Sequence, residues 1–205
     1  IGPFTFLRLS KGLPPADFTP TLHELARIYR QALQGCEHVH MEEPAFVLEP
    51  TPAEIDAVRA AYDILAESAC AINLITYYDS VDWLERLYEF PVTAIGLDFV
   101  HGPANLDHVR KAGFPADKTL IAGLVDGRNI WKTDAQQALG TLRELADKSG
   151  EMMLSNAGPL YHVPISLQGE QLSTDLLERL AFAQEKLAEL RQLADFHDSG
   201  KAPKA

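Results

Sequence analysis

The sequence predicts an α/β protein of parallel strand–helix units: a (β/α)8 TIM-type barrel that is incomplete, with about six units present and the first two missing. Three observations point there. Apolar runs ending in Gly, Pro, Asn or charged residues alternate with longer stretches of helical period. No Gly-x-Gly-x-x-Gly follows the first apolar run and no Gly-x-x-x-x-Gly-Lys-Ser/Thr loop occurs, so the phosphate-cradling signatures of open nucleotide-binding sheets are absent. Polar residues gather where the apolar runs end, and in a barrel those ends share one rim, where such folds carry their sites.

In chain order, strands are expected at residues 1–7, 39–43, 71–77, 94–99, 119–124 and 152–156, each an apolar run closed by a breaker or a charge. Helices are expected at 21–34, 52–67, 81–88, 105–111 and 134–148 between them, and a long one at 173–196. In the last, Leu176, Leu180, Ala183, Leu187, Leu190 and Ala194 form one stripe behind Ser173-Thr174-Asp175 as N-cap candidates. An amphipathic packing helix suits a stripe of only about three heptads better than a coiled coil does. Domain organisation is then one barrel-type unit over 1–197 and a flexible tail over 198–205. Six strands cannot close an eight-stranded barrel, so either two units precede residue 1 or another molecule covers the open edges.

With 18 Lys and Arg against 29 Asp and Glu, the formal net charge of −11 repels phosphate backbones and anionic lipid. Nucleic acid and membrane are excluded as expected partners. Cys36 and Cys70 stand apart from each other and from any zinc-type spacing, which excludes a disulfide framework. No apolar run approaches the ~20 residues of a membrane span, and the chain reads as cytosolic.

His38, His40 and Glu42 fall on one face of a strand and are the residue types that hold a divalent metal. At about 3.3 Å per residue, however, such a trio spans ~13 Å, too far to share one ion, so no metal site is expected. The alternative is a hydrogen-bonded interior His40. Glu42 and Glu43 are adjacent and face opposite sides, so only one points into a central cleft, and like-charge crowding on an acidic rim is expected to raise a carboxylate pKa. Asp126-Gly127-Arg128-Asn129 offers a turn with an Arg able to clamp a carboxylate, or an internal Arg–Asp bridge. His101 and His162 lie at strand ends as possible acid–base groups, and Ser155 fails the Gly-x-Ser-x-Gly elbow of hydrolases. The expected binding set is Glu42, Glu43, Asp98, His101, Asp126, Arg128 and Asn129, with no catalytic residue of its own.

Several strings in matching order resemble one family. They are Ile1-Gly2-Pro3-Phe4-Thr5-Phe6-Leu7, Glu43-Pro44-Ala45-Phe46-Val47-Leu48-Glu49, Leu97-Asp98-Phe99-Val100-His101-Gly102, Ala122-Gly123-Leu124-Val125-Asp126-Gly127-Arg128-Asn129-Ile130-Trp131 and Leu180-Ala181-Phe182-Ala183-Gln184-Glu185-Lys186. Together they resemble the amino-terminal barrel of cobalamin-independent methionine synthase, over nearly the whole chain. The resemblance implies two facing barrels that move a methyl group from 5-methyltetrahydropteroyl-triglutamate to homocysteine. It also implies a zinc ion in the carboxy-terminal barrel that makes the thiol a thiolate.

The family's zinc cysteines and catalytic His have no counterparts here. The corresponding positions read Leu74-Ile75-Thr76-Tyr77, Asn156-Ala157-Gly158-Pro159 and Asp126-Gly127-Arg128. The resemblance therefore implies no cofactor in this chain, an inactive segment by itself, and a second barrel or self-association as partner, with a folate or amino-acid ligand. The competing expectation is a metal-free binding or partner protein on the same barrel.

Overall fold

The computed structural model describes residues 1–199. A parallel sheet of five strands in the order β1-β2-β3-β4-β5 forms its centre: β1 (His38–Glu42), β2 (Ala71–Ile75), β3 (Ala94–Asp98), β4 (Thr119–Val125) and β5 (Met152–Asn156). Among the described residues β1 and β5 have free outer edges, so the sheet is an open part of a barrel. Helix α2 (Phe18–Ala32) precedes β1, and α3 (Pro52–Ala66), α4 (Leu84–Leu87), α5 (Pro103–Ala112) and α6 (Ala135–Ala146) lie between successive strands.

Among the described residues five strands form rather than the expected six. Residues 1–7 hold helix α1 (Pro3–Arg8) in place of a strand. Pro3 at the first helical position is pre-set for a helix and has no N–H to satisfy. The next two amides, Phe4 and Thr5, donate to the carboxylate of Glu43 at 3.1 and 2.7 Å. An apolar run reads equally as strand or helix, and here a residue far along the chain decides.

The expected helix 81–88 contracts to the single turn of α4, and the Val81 N–H ahead of it is held by Asn105 Oδ1 at 2.9 Å. The long helix expected at 173–196 is two: α7 (Thr174–Leu177) and α8 (Ala183–Ser199). Between them Leu180 bridges Trp131, and Ala181 donates to the Ile130 carbonyl at 2.8 Å, which removes those backbone groups from any continuous helix. The expected stripe is broken accordingly, with Leu187 54% exposed while Leu193 and Lys186 are buried. Of the expected tail, Asp198 and Ser199 end α8, and the remainder lies outside the described residues.

Met41, Leu74, Ile95 and Leu120 stand in register across β1 to β4 and are buried. They join Leu22, Ala26, Val58, Leu65, Leu142 and Leu145 from the helices in one core. Alternation sends the next row, Glu42, Ile75, Gly96 and Ile121, to the other face. Helix α3 begins on a capping box in which Thr51 and Glu54 satisfy each other's backbone amides.

Candidate functional site

The carboxyl ends of the strands carry the candidate site. Asp98 closes β3 with its side chain fully buried, and its oxygens accept from the amides of Val100 (2.8 Å), His101 (2.7 Å) and Tyr78 (3.0 Å). His101 Nδ1 lies 3.0 Å from Asp98 Oδ2, and His101 Nε2 lies 3.3 Å from Asp126 Oδ2, so the imidazole bridges two carboxylates from neighbouring strand ends. Asn105 Nδ2 fixes the Asp98 carbonyl at 2.9 Å, which ties α5 to the same point.

Asp126 follows a bulge in which the β4–β5 pairing skips Leu124, a device that re-aims side chains at strand ends. It accepts from the Arg128 amide at 2.7 Å and from Asn129 Nδ2. Gly127 is required here, since a Cβ would stand 2.1 Å from the Gly158 carbonyl oxygen of the loop after β5. Arg128 makes no bridge to Asp126 through its guanidinium, which instead sits over the Tyr78 ring, 5.0 Å from its centroid.

Tyr78 holds a left-handed backbone, φ 88°, which a bulky side chain adopts only when its surroundings enforce it. The enforcing contacts are the Asp98 carboxylate on its amide and His162 Nε2, 2.7 Å from its hydroxyl. Burial, with help from the Tyr161 hydroxyl, pushes the Tyr78 pKa up to about 12, and the Arg128 charge opposes the rise. Tyr77 stacks edge-on against Tyr78 and donates to Glu42 Oε2 at 3.0 Å. Burial and the Glu42 charge hold the Tyr77 phenol protonated well beyond the ordinary range.

Of the residues expected on the rim, Asp98, His101, Asp126 and Asn129 meet directly, while Arg128 joins through Tyr78 and Glu42 through Tyr77. Glu43 does not belong: its side chain is fully buried beneath α1, also accepting from the Tyr62 hydroxyl at 3.2 Å. Its pKa is raised to about 7 by burial, against the lowering effect of the bonds from Thr5 and Phe4, rather than by like-charge crowding on the rim. His38 and His40 are exposed on β1, on the face of the sheet they share with Glu42. No group of three or more His, Cys, Asp or Glu among the described residues could hold a metal ion.

Sequence reasoning missed the Tyr78–His162 pair and the strain at Tyr78. Its only signal was a polar Tyr77-Tyr78-Asp79 run directly after a strand. Behind the rim a cleft of about 220 Å³ is lined by Val100, Asp126, Asn129, Trp131, Thr133 and Gln137, below the ~300 Å³ lower end of small-molecule sites.

The family model described as "Cobalamin-independent synthase, N-terminal domain" matches residues 1–150. The chain belongs to the cobalamin-independent methionine synthase family. Among relatives, it is 40% identical over 213 residues to the 5-methyltetrahydropteroyltriglutamate–homocysteine methyltransferase of Bacillus licheniformis, covering 98% of this chain and 28% of that protein. Against the Thermotoga maritima protein of the same name it is 39% identical over 207 residues, covering 96% of this chain and 27% of the relative. This member of the family thus spans little more than a quarter of the length of the curated relatives it matches.

A B12-independent methionine synthase from a Shewanella species, solved in complex with selenomethionine, superposes with a TM-score of 0.60. It is 18% identical and covers 97% of this chain and 61% of its own, a likeness that shows the fold. Among the described residues no donor set fits the zinc ion that the resemblance implies for the family, and the rim carboxylates are already taken by amides, His101 and Tyr77.

Proposed function

We propose that this chain is part of the amino-terminal barrel of an enzyme that transfers a methyl group from 5-methyltetrahydropteroyltriglutamate to homocysteine. The observation that carries this reading is the 40% identity over 98% of the chain to a protein named for that transfer. In this role the chain supplies a framework and a ligand-facing rim, with the zinc chemistry housed in a second barrel as its partner and the protein placed in the cytoplasm. Glu42, His101, Asp126, Arg128 and Asn129 are the residues we assign to contact with a folate or amino-acid ligand, with Arg128 suited to a ligand carboxylate and the buried Asp98 seating His101 beneath them.

The test is a homocysteine methylation assay with zinc supplied, run on the 205-residue chain and on a full-length relative carrying the same substitutions. The chain alone should be silent, and turnover by it would overthrow the assignment of the chemistry to a second barrel. Arg128→Ala in the full-length context should weaken binding of the anionic ligand by about tenfold, a typical worth of one charge-assisted bond. An unchanged affinity would remove Arg128 from the site.

A further inference from the structure

The rim loop of Asp126 to Trp131 is held from below by a lysine that no rim contact explains. Lys186, in the first turns of α8, exposes none of its side chain, and its ammonium donates to the Trp131 carbonyl at 2.9 Å. Burial lowers its pKa, while the charges of Glu189 and Asp126 act in the opposite direction. An ammonium withdrawn from water costs several kcal/mol unless paired, and a methionine of similar length would fill the space without that cost. One turn further on, Glu189 accepts from the Thr133 amide (3.2 Å) and hydroxyl (2.8 Å). Helix α8 therefore grips the connection after β4 at two successive points, beside the backbone pairing of Ala181 with Ile130 and of Lys132 with Arg179.

The far end of that connection is the rim. The Asp126 charge acts on Lys186, and Asp126 also faces His101 and holds the Arg128 amide and Asn129. Contacts thus run from Asp98 through His101 to Asp126, while Lys186 holds the Trp131 carbonyl at the other end of the loop. We propose that Lys186 is a positioning residue: its charge, acting through the Trp131 carbonyl and Asp126, sets the loop that presents Arg128 and Asn129 and seats Asp126 against His101. The functional side of this inference rests on the rim being the ligand-facing surface.

The test compares Lys186→Met, Lys186→Arg and Asp126→Asn in this chain by NMR, without substrate. In Lys186→Met, amide exchange at Arg128, Asn129 and Trp131 should quicken by about tenfold or more, the signature of local opening. The ring signals of His101, which Lys186 does not touch, should move as well. Lys186→Arg should restore both, and in an Asp126→Asn background Lys186→Met should leave His101 unmoved. A folded Lys186→Met protein with unchanged loop amides and His101 signals would overturn the proposal, as would a His101 change that persists without the Asp126 charge. Should Lys186→Met fail to fold, Asp126→Asn alone decides: a moved Lys186 Nζ resonance supports the link and an unmoved one overturns it. These signals are independent of turnover, so an unchanged ligand affinity in Arg128→Ala would remove Arg128 from the ligand site and leave the positioning result standing.

Discussion

Gly2 and Glu43 approach so closely that no side chain fits between them. A Cβ on Gly2 would stand 2.1 Å from Glu43 Oε1 and 2.2 Å from its Cδ. The bare glycine lets the buried carboxylate rise against the first turn of α1, where it accepts the Phe4 and Thr5 amides. The Gly2 amide in turn donates to the Glu42 carbonyl at 2.7 Å, so one dipeptide at the end of β1 anchors the start of the chain twice.

Gly2→Ala should therefore be costly although it adds a single methyl group. Glu43 has three hydrogen bonds to lose and no solvent to move into, so the clash breaks bonds rather than bending a free side chain. A loss of about 2–4 kcal/mol is expected, in the range of overpacking combined with an unsatisfied buried group. Urea unfolding measures it, and a loss below 0.5 kcal/mol would show that Glu43 has room the packing denies, in the range of a neutral surface change.

Glu43 also makes stability fall as pH rises toward neutrality. Its pKa is raised from 4.5 to about 7, so between those values the folded chain keeps a proton that the unfolded chain has released. The contribution is fully present below pH 4.5 and is lost as pH climbs through about 7, a total of about 3 kcal/mol at 1.36 kcal/mol per unit. Glu185 works in the opposite sense at lower pH. Burial pushes its pKa up, but bonds from the Leu167 amide and the Ser166 hydroxyl hold it below the ordinary value, so its stabilisation disappears on acidification. In Glu43→Gln the decline between pH 4.5 and 7 should flatten while the acid limb remains. An unaltered slope would assign the decline to other groups.

How much of this was legible follows from where each deciding contact sits. Strands β2 to β5 were readable because Ala71–Ile75, Ala94–Asp98, Thr119–Val125 and Met152–Asn156 are apolar runs with their own local stops. The helix at Pro3–Arg8 was not, because its amides are satisfied by Glu43, and period alone cannot see a partner in another strand. The split between α7 and α8 is of the same kind, decided by the segment around Trp131. On the rim, Asp98, His101 and Asp126 were legible as polar residues closing apolar runs. Alternation showed that Glu42 and Glu43 diverge, yet not which one is buried. The φ of 88° at Tyr78 depends on Asp98 and on His162, and neither dependence leaves a local trace.

Asp98→Asn should release Tyr78. An amide can accept the Val100 and His101 N–H groups on one side, but its NH2 then faces the Tyr78 amide and sets donor against donor. Without that acceptor, nothing on the backbone side holds Tyr78 in its left-handed conformation, which costs about 1–3 kcal/mol to maintain. The expected result is a loss of about 2–4 kcal/mol, as for breaking a buried charged hydrogen-bond hub, with altered Tyr78 and His162 ring signals in NMR. Unchanged ring signals in the variant would show that His162 alone seats Tyr78.

The free edges of the sheet predict self-association of the isolated chain, with a definite salt dependence. Beside the unpaired side of β5, Met153 is 47% and Leu187 54% exposed, and with Leu154, Leu190 and Ala194 they line a groove of about 720 Å³. Near β1 lie the exposed Ile1, Phe6 and Leu9. Unpaired strand edges flanked by apolar side chains invite pairing, whereas a formal charge of −11 opposes it. Screening shortens the reach of that repulsion to about 8 Å at 0.15 M salt, so association should strengthen as salt is raised from low values. Light scattering over a concentration series should show masses above the 22.6 kDa of one chain, and Met153→Lys with Leu187→Lys should lower them by placing charge on the edge. A monomer at every concentration and salt would mean that curvature of the sheet already shields β5. Association that weakens with salt would place its cause in ion pairs rather than in the apolar edge.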